Sequence, residues 1–195
     1  MNATATLPCV DELPALGPSV EQLTAEANRA FTRGDIARVR ECLSAALELS
    51  PEEGELALAL GHAEMGEGNV EAAMASYWAA TLLMPKVASA HSCHALAARL
   101  LGRNSEASRS AIRAISLNPR DAVGLKVLAR IHLDAGQPEA ARQACRLVLH
   151  ELPDDEDARQ MMEEVLVQEA LLEENLLAKQ FHLKPEPAKL HRQRA

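Results

Sequence analysis

Aromatic side chains are almost missing from this chain: one Trp, one Tyr and two Phe make up 2% of it, although 48% of the residues are hydrophobic. A core poor in rings has to be built from aliphatic side chains, and Ala and Leu supply most of them. Both are among the best helix formers, so an all-helical chain is expected and an extensive sheet is not. Cysteine is also scarce. Cys9, Cys42, Cys93 and Cys145 stand far apart with no Cys-x-x-Cys pair, which excludes a disulfide framework or a zinc ribbon. A basic surplus is absent too: 28 acidic against 20 basic side chains give a net charge of −8, so no nucleic-acid partner is expected. No apolar run reaches membrane-spanning length, and the opening "MNATATLPCVDELPALGPS" lacks the basic and apolar regions of a secretory leader. A cytoplasmic chain without a membrane partner is the expectation. Catalytic signatures are missing as well, with no Gly-rich phosphate loop, no Gly-x-Ser-x-Gly and no His-Glu-x-x-His. Neither an enzyme nor a cofactor is expected.

What the chain does have is a repeat. Pro51, Pro85, Pro119 and Pro153 follow one another at a constant step of 34 residues, as do Gly34, Gly68, Gly102 and Gly136. Ala46, Ala80 and Ala114, with Val148 as fourth member, keep the same step. Each unit reads as two amphipathic helices, with the glycine ending the first and the proline placed just past the second. Ser19 with Gln22 predicts a capping box for the first helix, and Asp35 and Asn69 are candidate caps for the second helices. The small residues Ala27, Gly61, Ala95 and Ala129 mark where first and second helices approach closely.

"EANRAFTRGDIARVRECLSAALELSP", "LALGHAEMGEGNVEAAMASYWAATLLMP" and their two successors resemble the tetratricopeptide repeat (TPR) family. The resemblance implies an all-α, right-handed superhelical solenoid of four hairpins, residues 20–53, 54–87, 88–121 and 122–155 within 19–155. The family's aromatic in the second helix survives only as Tyr77, replaced at its other copies by Leu43, Ala111 and Cys145. With His91 and Ala111 in packing slots, the third unit is expected to be the most loosely packed. A helix at 156–181, read from Asp157 to about Gln180, is expected to cap the array, and segments 1–18 and 182–195 to lack fixed structure. Leu171, Leu172, Leu176 and Leu177 on that helix are candidates for contact with a second copy, forming a homodimer.

His91, Cys93 and His94 lie within four residues, and sulfur and imidazole are zinc ligands. On a helix, however, Cys93 points about 200° away from His91, so the three do not converge on one ion. They read as packing residues, Cys145 as a core filler, and no metal is expected.

Function is therefore sought on the inner face of the first helices, where solenoids bind extended partners. Candidate groove residues are Asn28, Phe31, Leu58, His62, Met65, Leu96, Arg99, Lys126 and Arg130. Arg99, Lys126 and Arg130 gather positive charge in an otherwise acidic chain, which suits a protein or peptide carrying a carboxylate beside an apolar anchor. The family's carboxylate clamp matches only at Asn28; Thr24 stands at its lysine position, and Ala59 and Cys93 replace other polar members. The reading is a non-catalytic interaction scaffold. The resemblance leaves two alternatives: a chaperone like those of type III secretion, or a helper module of a glycosyltransferase- or methyltransferase-like system.

Overall fold

The computed structural model describes residues 17–180, so the expected unstructured ends fall outside it apart from Gly17 and Pro18. The described residues form α-helices and no strand: α1 (Val20–Thr32), α2 (Ile36–Leu49), α3 (Gly54–Gly66), α4 (Val70–Leu83), α5 (Ala88–Leu100), α6 (Asn104–Leu117), α7 (Ala122–Asp134), α8 (Pro138–Glu151) and α9 (Glu156–Gln180). The terminal helix starts one residue before the expected Asp157. Two compact units result, one ending at Pro85 and one beginning at Lys86.

Each hairpin turns the same way. Gly34, Gly68, Gly102 and Gly136 have φ of 75°, 81°, 73° and 67°, the left-handed region in which a Cβ is penalised. The Gly34 N–H donates to the Phe31 carbonyl, and the Asp35 N–H reaches back to Ala30. The same bond pair recurs at Gly68, Gly102 and Gly136, and it satisfies carbonyls that a helix end leaves open. The prolines follow two residues after each second helix, where no helical hydrogen bond needs their missing N–H.

Helix starts are less uniform. Ser19 and Gln22 form the capping box, and Asp35 Oδ1 accepts from the Arg38 N–H at 3.1 Å. Asn69 corrects the expectation: its side chain makes no cap bond. There the backbone anchors the turn instead, with the Asn69 N–H on the Glu64 carbonyl and the Ala73 N–H on the Asn69 carbonyl.

In the first unit, α1 packs on α2, α2 on α3 and α3 on α4. Ala27, Ala30, Val39, Cys42, Leu43, Ala46, Leu56, Leu60 and Ala63 form one buried cluster. The single Tyr is the large side chain between α3 and α4. Tyr77 is buried, its ring lies edge-on to His62, and its hydroxyl is 3.0 Å from His62 Nδ1. Gly61 makes room for it: a Cβ there would stand 2.5 Å from the ring.

The second unit pairs α5 with α6 and α7 with α8, then covers α8 and α7 with α9. Leu125, Ala129, Leu133, Ala141, Ala144, Cys145 and Val148 share a buried cluster with Ala158, Met161 and Val165 of α9. Those three residues recur every three or four positions, the spacing of one helix face. Gln168 Nε2 donates to the Leu133 carbonyl at 3.1 Å, and Glu169 pairs with Arg142. From Leu171 onward the described side chains of α9 are exposed.

Candidate functional site

The first helices of the second unit place the predicted cations together. On α7, Val123, Lys126, Val127 and Arg130 share one face at helical spacing, and α5 brings Leu96 and Arg99 beside them. Asp157, Gln160 and Met161 of α9 close the third side. The result is a cleft of about 300 Å³ with Leu96, Val123, Val127 and Met161 as its apolar lining.

The charges in this cleft are not equivalent. Lys126 Nζ lies 3.0 Å from Asp155 Oδ2 and 3.0 Å from Asp157 Oδ2. Arg130 grips Glu164 with both terminal nitrogens, at 2.5 and 3.1 Å. These two side chains, expected as open groove cations, are held by the chain's own terminal helix. Burial opposes the Lys126 charge, but the carboxylates of Asp155 and Asp157 outweigh it and raise its pKa. The Glu164 hydrogen bond raises that of Arg130 against the same opposition. Burial pushes the Asp155 carboxyl up, yet the Ala158 N–H and the Lys126 ammonium outweigh it and hold it below the ordinary carboxylate range. Arg99 differs: no carboxylate among the described residues pairs with it.

Sequence reasoning missed the α9 wall, and a signal for it existed. Continuing the 34-residue step once more maps Val123 to Asp157, Lys126 to Gln160, Val127 to Met161 and Arg130 to Glu164. Residues of α9 thus occupy the groove positions of a further first helix. The close-packing position Ala129 maps to Glu163, which is exposed because no second helix follows to cover it.

In the first unit, Asn28 and Phe31 are exposed on α1, while Leu58 and Met65 are half-buried on α3. His62 of α3 is held by Tyr77, and burial lowers its pKa. On α9, Leu171, Leu172, Leu176 and Leu177 are all exposed.

The stretch holding His91, Cys93 and His94 lies on α5. His94 is fully buried, with Nδ1 2.9 Å from Ser110 Oγ and Nε2 3.5 Å from Glu106. Burial pushes the Cys93 thiol up to about 11, with the Asp121 carboxylate adding to it, and burial also raises that of Cys145. Both thiols are thereby kept from the thiolate form that acts as nucleophile or ligand. Among the described residues, no group of three or more His, Cys, Asp or Glu side chains could hold a metal ion. None of the described helices is long and apolar enough to cross a membrane.

His94 makes stability depend on pH. Burial lowers its pKa against the pull of Glu106, and His91 and Arg103 act in the same direction as burial. The folded state therefore binds fewer protons than the unfolded chain below the ordinary imidazole value of 6.5. Stability from neutral His94 is complete above that value and is lost as pH falls beneath it. We expect the thermal midpoint to fall between about pH 7.5 and pH 5.5, and His94→Gln to flatten that fall. His62, whose pKa burial also lowers, adds a slope of the same sign. A His94→Gln protein with the parent's pH profile would refute the assignment.

Two family models described as tetratricopeptide repeat match residues 24–82 and 98–165. No curated protein matches the sequence significantly. Among solved structures, a MamA protein superposes with TM-score 0.67 at 19% identity, over 88% of this chain and 100% of that one. A tetratricopeptide repeat protein from Parabacteroides merdae ATCC 43184 gives TM-score 0.69 at 20% identity, covering 85% and 68%. The first TPR of Spaghetti (RPAP3), bound to the HSP90 peptide SRMEEVD, gives 0.57 at 19% identity, covering 60% and 93%. Similarity at these identities is a similarity of fold.

Proposed function

Because this chain belongs to the tetratricopeptide repeat family, we propose that it is a non-catalytic protein-interaction scaffold whose second unit binds an acidic segment of a partner protein. The observation that carries this reading is Arg99, a cation without a carboxylate partner among the described residues, on the rim of an apolar cleft. Leu96, Val123, Val127 and Met161 take an aliphatic side chain of the partner, and the Arg99 guanidinium takes a neighbouring carboxylate. A peptide-bound relative of the same fold supports the class of ligand. A cleft of about 300 Å³ accommodates one large side chain rather than a folded surface.

The test uses a fluorescein-labelled peptide, Glu-Leu-Glu-Glu-Leu with a free carboxyl end, and a neutral counterpart with Gln for Glu and an amidated end. The acidic probe is expected to bind more tightly and to weaken with added salt. A charge-assisted hydrogen bond contributes about 1.5–3 kcal/mol. Arg99→Ala is therefore expected to weaken the acidic probe at least about tenfold, which corresponds to roughly 1.4 kcal/mol. Thermal unfolding should change little, since Arg99 holds no ion pair within the fold. Equal binding of both probes, or an Arg99→Ala protein that binds like the parent, would overturn the reading.

A further inference from the structure

Two of the cleft's three cations face three carboxylates of the same chain: Asp155 and Asp157 on Lys126, and Glu164 on Arg130. The three acids are not held alike. The Asp155 side chain is 14% exposed and accepts from the Ala158 N–H at 2.8 Å, so it caps α9 as well as binding Lys126. Asp157 is 76% exposed, and Glu164 is 38% exposed. Water solvates Asp157 as soon as it leaves Lys126, so its release is cheap, whereas Glu164, held by two part-buried bonds from Arg130, is released at greater cost. Their places in the repeat also differ. One step earlier, the Asp157 position holds Val123 and the Glu164 position holds Arg130. At the Glu164 position the four units carry Asn28, His62, Leu96 and Arg130, so a carboxylate enters there only with the closing helix, whereas the Asp157 position is already acidic at Glu21 and Glu55.

We propose that Asp157 and Glu164 are built-in competitors for the cleft, occupying on Lys126 and Arg130 the places that a partner's carboxylates take. This inference rests on the reading of the cleft given above and names what sets its selectivity. A segment with one carboxylate is served by Arg99 alone. A segment with two or more displaces Asp157, then Glu164, and gains contacts that a singly charged segment does not reach. Displacement moves side chains only, because Ala158, Met161 and Val165 keep α9 in the core. The two acids thereby raise the density of negative charge that a partner needs.

The experiment measures both probes on the full chain carrying Asp157→Asn, and on the chain carrying Asp157→Asn with Glu164→Gln. The single variant is expected to bind the acidic probe at least twofold more tightly, and the double variant at least fivefold, with the neutral probe unchanged. Loss of the Arg130–Glu164 pair also loosens α9, so the single variant, whose carboxylate is at the surface, decides the matter if the double variant melts early. An Asp157→Asn protein no tighter than the parent, beside an Arg99→Ala protein that is weaker, would sink the competitor idea and leave the cleft reading intact. If neither variant alters binding, both readings fail.

Discussion

Val165→Asp is expected to strip α9 from the second unit. Val165 is 0% exposed and sits among Leu133, Cys145 and Met161 in the cluster that joins α7, α8 and α9. At a fully buried position an introduced carboxylate has to be protonated or expose the core to water. Either route costs on the order of 4 kcal/mol or more, against about 2 kcal/mol for Val165→Ala, which removes only packing. Stability totals of small domains are of order 5–15 kcal/mol, so the loss is a large share of what the unit has. Thermal unfolding by circular dichroism gives the number. Probe binding gives the consequence, because Asp157, Gln160 and Met161 leave the cleft with the helix. A Val165→Asp protein that melts like Val165→Ala would show that α9 contributes little to the second core.

Gly61→Ala is expected to destabilise the first unit although alanine is the better helix former. Alanine gains about 1 kcal/mol over glycine inside a helix. Its methyl group, however, would stand 2.5 and 2.6 Å from two ring atoms of Tyr77, whose ring is buried and whose hydroxyl meets His62. Overpacking of this kind costs about 1–3 kcal/mol, and with buried ring atoms on the close side the upper part of that range applies, so a net loss of up to about 2 kcal/mol is expected. The ring is the cause, so the sign should reverse in a Tyr77→Leu background, where the helix gain of alanine is left unopposed. A double-mutant cycle of Gly61→Ala and Tyr77→Leu, read by urea unfolding, tests this through its coupling energy. Additive effects would mean that the ring moves aside without cost.

The sequence by itself determined the hairpins. A φ near +70° is easy only for glycine, so the glycine series located the turns, and the prolines stand just past the second helices that end before them. The series Ala46, Ala80, Ala114 and Val148 is buried at every copy. These features depend on backbone sterics and on one residue's local surroundings, and a 34-residue period displays such dependence four times over. The cation-bearing face of α5 and α7 was legible for the same reason, since helical spacing fixes which side chains share a face.

What only the tertiary structure decided is the company those side chains keep. Lys126 meets Asp155 and Asp157, and Arg130 meets Glu164, across separations of 29, 31 and 34 residues. Read along the chain, "ELPDDEDAR" is a helix start rich in acid, and its carboxylates are explained by the open amide groups they face. Folding gives Asp155 both roles at once, cap and counter-ion. His62, read from the sequence as a groove residue, also meets the ring of Tyr77 through space. Charges and rings that meet through space obey no sequence period of their own, because Coulomb attraction and steric exclusion act on distances set by how helices stack. Only the packed arrangement of α5, α7 and α9 therefore fixes that Lys126 and Arg130 are held by the chain's own acids and that Arg99 is not.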